Sequence, residues 1–188
     1  MRLLRFPLLL LALAGPCGAA LADAPAHETS ALARLKADLM ANPSATQVLT
    51  RWCGDLQLAA PAVIRAVRDR ADKPATAEVR ALLGAANDEP IRYRRVRLMC
   101  GTHILSEADN WYRPSRLTPA MNKALDETDA PFGTVVRPLG FSRRTLDAEP
   151  HADAGTVLRI RAVLLAGAAP FSLVVENYRP ELIAPPGR

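Results

Sequence analysis

The sequence predicts an α+β domain, an antiparallel β-sheet with short helices packed on one side. Three observations carry that expectation. Residues 91–100 alternate with a two-residue period, and the chain returns from them through Gly101-Thr102 into a second run over 103–112. Near the C-terminus, residues 157–165 and 171–178 are β-rich and joined through 167–170, so they should pair as another antiparallel hairpin. The other periodic segments are short, helical in spacing and bounded by capping residues.

Taken in order, residues 24–28 read as an unstructured leader. Ser30 then caps a helix that puts Leu32, Leu35 and Leu39 on one face and stops at Pro43. Ser44 caps a second helix with Val48, Leu49, Trp52 and Cys53 turned inward, and Gly54 offers its C-terminal stop. Residues 62–67 are apolar and β-branched enough for a strand. Thr76 caps a helix carrying Val79, Leu82 and Leu83, closed by Gly84. In the strand that follows, Ile91, Tyr93, Arg95, Arg97 and Met99 share one face; Arg92, Arg94, Val96, Leu98 and Cys100 take the other. Pro114 ends the returning strand, and Thr118-Pro119 begins a helix with proline at its first position, leading into Met121, Asn122 and Leu125. Pro131-Phe132-Gly133 opens a short helix or turn, and a strand over 141–146 follows.

The first residues have the character of a secretory signal: Arg2 and Arg5, an apolar run over 6–14, then small residues with Ala20-Leu21-Ala22 as the cleavage frame. The run is well short of the ~20 apolar residues that span a bilayer. Cleavage after Ala22 is therefore expected, giving a signal peptide over 1–22, one domain over 23–188, a periplasmic or secreted location, and no stable membrane insertion. Cys17 follows Pro16 rather than a small residue, so no lipid anchor is expected. Removing Arg2 and Arg5 from the 24 Lys and Arg leaves 22 against 19 Asp and Glu, a net of +3 too small and too evenly spread to read as a nucleic-acid surface.

Export places Cys53 and Cys100 in an oxidising compartment, which permits a bridge between them; the alternative is two buried thiols packing as small hydrophobes. His27, His103 and His151 are far apart, and no paired His or Cys spacing points to a metal. Neither a glycine-rich phosphate loop nor a serine elbow is present, and no cofactor is expected.

The segment YRRVRLMCGTHILSEADNWYRPSRLTPAMNKALDETDAPFGTVVRPLGFSRRTL and the later FSLVVENYRPEL resemble the chorismate lyase family and, more loosely, the UTRA effector-binding domains of bacterial repressors. The resemblance spans about residues 92–179 and implies a chorismate lyase-like fold. It also implies a site: Arg95 binding the carboxylate of an aromatic ring, and Pro131-Phe132-Gly133 standing for a Pro-Leu-Gly turn whose backbone N–H meets the same carboxylate. Glu176 would face the hydroxyl end as the catalytic residue. Aligned on Pro114, Asp109-Asn110 stand where the family has Gly-Arg, so Asn110 joins Arg95, Phe132 and Gly133 among the substrate-binding candidates, and Glu107 and Asp109 would bring negative charge to the site. No metal or cofactor is implied.

These residue types suit that chemistry. An arginine fork fixes a carboxylate through charge-assisted hydrogen bonds, and a glutamate desolvated in an apolar strand can hold a proton for delivery. The plainer readings are a surface role for Arg95, an ion pair of Glu176 with Arg159 or Arg161, and core packing for Trp111. Two functions follow. One is an exported chorismate lyase-like protein that binds a small aromatic or cyclic carboxylate with pyruvate-lyase activity; the other is a non-catalytic periplasmic ligand-binding or interaction module on the same UTRA-like fold.

Overall fold

A computed structural model describes residues 24–153 and 155–184; the signal peptide expected over 1–22 lies outside the described residues. Helices α1 (Ala24–Ala41) and α2 (Ala45–Asp55) lead into strand β1 (Ile64–Asp69) and helix α3 (Ala77–Leu83). Strands β2 (Arg92–Cys100) and β3 (His103–Tyr112) form the first hairpin, followed by α4 (Pro119–Glu127) and the one-turn α5 (Phe132–Val135). Strands β4 (Ser142–Asp153), β5 (Thr156–Ala166) and β6 (Ala169–Tyr178) complete one antiparallel sheet in the order β1-β2-β3-β6-β5-β4. The two hairpins predicted from the sequence thus meet at its centre, where β3 pairs with β6.

Local chemistry sets most boundaries. The Oγ of Ser44 accepts from the Gln47 N–H at 3.4 Å, and Thr76 and Thr118 do the same for Val79 and Met121, each at 3.2 Å. Gly84 closes α3 at φ +59, a left-handed conformation that costs glycine nothing.

Three expectations need correction. The first helix takes in residues 24–28 and starts at Ala24, so Ser30 lies inside it and does not cap it. The turn after α2 is made by Gln57 at φ 55, not by Gly54. Finally, β4 runs on to Asp153 through Pro150, which the sheet tolerates because β4 is an edge strand with no outer ladder to supply.

Two packed layers follow from the alternation. On one face, Val96, Leu98, Ala108, Ile160 and Tyr178 pack beneath Leu35 and Leu39 of α1 and Val48 and Leu49 of α2. Each fully buried leucine contributes about 1.5–3 kcal/mol by leaving water. Leu125 of α4 and Phe132 of α5 extend that layer over Tyr112, Leu164 and Val174. The other face carries the short α3, whose Val79 and Leu83 cover Trp111, Leu173 and Val175.

A disulfide joins Cys53 of α2 to Cys100 at the end of β2, with both residues buried. It closes a loop of sequence separation 47 and ties α2 to the sheet. Reduction, or the double replacement by alanine, is expected to lower stability by about 2–4 kcal/mol. Denaturant unfolding with and without reductant measures this, and coincident curves would contradict it.

Candidate functional site

Between the helical layer and the sheet lies a small cavity of about 50 Å³. Its floor is the inward face of β2, β3, β6, β5 and β4; its rim is the start of α2 at Ser44 and Thr46 and the start of α5 at Phe132 and Gly133. A Cβ on Gly133 would stand 3.2 Å from both Ser44 Oγ and Thr46 Oγ1, tighter than an ordinary contact, so glycine lets the two helix starts approach. Val96, Leu98, Phe132, Phe141, Leu164 and Val174 make the walls largely apolar.

The arginine in this cavity is Arg94, and Arg95 does not line it. Strand alternation places Arg94 on the face of Val96, Leu98 and Cys100, all buried, and opposite Asn110 in the ladder. Arg94 is 4% exposed. One nitrogen, Nη2, donates to the carbonyl of Ala130 at 3.2 Å; Nε and Nη1 are buried with no partner, and no carboxylate among the described residues forms a salt bridge with it. Burial, helped by the nearby Arg68, pushes its pKa down to about 10, so it remains a cation at neutral pH.

Arg95 turns to the opposite face. Its side chain is 39% exposed and ion-paired to Glu107 at 3.2 Å, Asp109 at 3.5 Å and Asp69 at 3.7 Å. This overturns its assignment as the cavity's carboxylate ligand: a one-residue step along a strand exchanges faces. The same step takes Glu107, Asp109 and Trp111 away from the cavity. Trp111 packs in the layer beneath α3 and donates from Nε1 to the Lys73 carbonyl at 3.0 Å.

On that second face Tyr93 donates to Asp109 at 2.5 Å. Burial first, then Asp109, push the Tyr93 phenol from 10.0 up to about 12, with Arg95 opposing. The folded chain thus holds this proton more tightly than the unfolded chain does. Its contribution is complete below about pH 10 and is lost as the pH rises towards 12. Replacing Tyr93 by phenylalanine should flatten the alkaline decline in melting temperature over that window, and an unchanged slope would contradict it.

Asn110, Phe132, Gly133 and Glu176 all line the cavity. Asn110 is 4% exposed; its Oδ1 accepts from Ser172 Oγ at 2.6 Å, while Nδ2 is buried without a partner. Phe132 stacks near Tyr112 and Phe171, with ring centroids 5.3 and 6.3 Å away. Glu176 is engaged by a residue the sequence reading missed, Arg143 of β4. Nη2 of Arg143 reaches Oε2 at 2.5 Å and Nη1 reaches Oε1 at 3.4 Å; the Tyr178 hydroxyl donates to Oε2 at 2.9 Å.

The Arg143 side chain is only 6% exposed. Burial alone would lower its pKa, but the Glu176 carboxylate and Tyr178 hold it above the ordinary guanidinium value. Burial, reinforced by Glu176, raises the Tyr178 phenol well above its usual range. Neither Arg159 nor Arg161 is the partner of Glu176, since Arg161 pairs with Glu78 at 2.6 Å and Asp147 at 3.4 Å. Alternation and the buried run Val96, Leu98, Cys100 could have identified Arg94. Nothing local marks Arg143, which crosses β5 to reach β6.

The six-stranded antiparallel sheet with its few helices has the UTRA/chorismate lyase-like fold. The structure of PhnF from Mycobacterium smegmatis is similar, with a TM-score of 0.53 and 15% identity, covering 75% of this chain and 65% of that one. Its effector domain alone gives a TM-score of 0.50 at 15% identity, covering 73% of this chain and 88% of the domain. At this identity the likeness concerns the fold, and the chain spans about two-thirds of PhnF (65%). The chain belongs to the same family as the "Uncharacterized protein y4mC" of Sinorhizobium fredii (strain NBRC 101917 / NGR234), with which it shares 43% identity over 173 residues, 78% of this chain and 73% of that protein. No protein-family model matches the chain.

Proposed function

We propose that this chain is an exported, non-catalytic binding module that holds one small aromatic or cyclic carboxylate between its sheet and its helices. The observation that carries this reading is Arg94, a cation 4% exposed whose Nε and Nη1 have no protein partner. A buried charge left this way costs several kcal/mol unless an anion completes it, and a ligand carboxylate is the natural completion. Phe132 and Gly133 stand at the same rim. The apolar walls and the Phe132 and Phe141 rings suit a flat apolar body.

Glu176 supports binding over lyase chemistry, because both of its oxygens already accept hydrogen bonds from Arg143 and Tyr178. Purified protein incubated with chorismate is therefore expected to form no 4-hydroxybenzoate; sustained product formation would overturn the non-catalytic reading. 4-Hydroxybenzoate should instead raise the melting temperature of the protein, and much less so in Arg94→Ala. Equal shifts in both proteins would remove Arg94 from the site.

Export is supported by the signal character of residues 1–22 and by the Cys53–Cys100 disulfide, which persists in oxidising compartments. Mass spectrometry of the protein from a periplasmic fraction should find Asp23 as the first residue. An intact N-terminus in the cytoplasm would contradict export.

A further inference from the structure

We propose that the cavity selects a monoanion: one carboxylate on an apolar body whose far end carries an uncharged oxygen acceptor, with Glu176 excluding a second negative charge. This rests on Arg94 as the carboxylate ligand and adds the ligand's charge and its distal group. The ionisable residues lining the cavity are Arg94, Arg143 and Glu176. Arg143 and Glu176 neutralise one another, leaving a single positive charge on Arg94.

One carboxylate brings the cavity to neutrality. A dianion would leave a negative charge uncompensated where water is largely excluded, beside a carboxylate already buried there. Capturing Arg143 for itself would not help it, because Glu176 would then keep only the Tyr178 hydroxyl.

The distal group follows from the donor left over. Asn110 stands opposite Arg94 in the ladder and so belongs to the carboxylate end; the donor left on the far side of the cavity is Arg143 Nε, buried without a partner on a side chain 6% exposed. It offers a proton, and the oxygens of Glu176 are already taken. A carbonyl, ether or hydroxyl oxygen satisfies such a donor without adding charge.

Three near-isosteric probes test this by calorimetry at neutral pH: benzoate, monomethyl terephthalate and terephthalate. Monomethyl terephthalate is expected to bind about tenfold or more tightly than terephthalate, and several-fold more tightly than benzoate. Glu176→Gln should shift the ratio of the two terephthalate probes by about tenfold in favour of the dianion. Terephthalate binding as well as its monoester, or a ratio unmoved in a folded Glu176→Gln protein, would overturn the selectivity. Should that variant not fold, the wild-type ratio alone decides. No binding of any probe, or binding unchanged in Arg94→Ala, would instead bring down the carboxylate site itself.

Discussion

Replacing Arg143 by alanine is expected to destabilise the fold by about 3–5 kcal/mol, read as a lower denaturation midpoint in urea. The guanidinium lies over the sheet floor, reaching from edge strand β4 to Glu176 on β6. Its removal leaves the Glu176 carboxylate buried with the Tyr178 hydroxyl as its remaining partner. The cost comes from that stranded charge and not from the attraction of the pair, which desolvation of both partners largely offsets. Replacing Arg143 and Glu176 together by methionine should therefore recover much of the loss, a non-additivity expected of directly contacting groups. A midpoint unchanged in Arg143→Ala would mean that the pair is not desolvated as its burial implies.

Arg94→Met is expected to act in the opposite direction on the empty protein. Methionine fills similar space without a charge, and removing a buried cation that no salt bridge completes should stabilise the fold by about 1–4 kcal/mol. The same substitution should weaken carboxylate binding by about a hundredfold, since a charge-assisted contact in a desolvated site contributes roughly 3 kcal/mol. Gain of stability with loss of binding is what distinguishes a binding residue from a structural one. A structural Arg94 would make the variant less stable, through the lost hydrogen bond to Ala130.

The fold was largely legible because its determinants are local. The two-residue period of β2 and the Gly101 turn specified the first hairpin, the β-rich tail specified β5 and β6, and Ser44, Thr76 and Thr118 marked helix starts that the structure places at the following residues. Expectations failed where context overrides local preference. Ser30 is a good capping residue that the first helix simply runs through, and the strand expected over 141–146 runs on to Asp153 because Pro150 lies on a sheet edge.

The site was legible only in part. Its lining of Asn110, Phe132, Gly133 and Glu176 was anticipated through family resemblance, yet the arginine was placed one residue too far along, which on a strand means the wrong side of the sheet. The run Val96, Leu98, Cys100 held the information needed to choose Arg94, because residues that share its face form the core. Arg143 was out of reach, since its partner is 33 residues away and two strands across. That omission matters chemically: without Arg143, Glu176 looks like a proton donor, whereas with it the carboxylate is one half of an ion pair.

The most direct test is a calorimetric titration of 4-hydroxybenzoate into the wild-type protein and into Arg94→Met under identical conditions. Saturable one-to-one binding to the wild type, absent from a methionine variant that melts at a higher temperature, is the predicted result. Equal affinity in the two proteins, or a cavity that takes up no carboxylate at all, would contradict it.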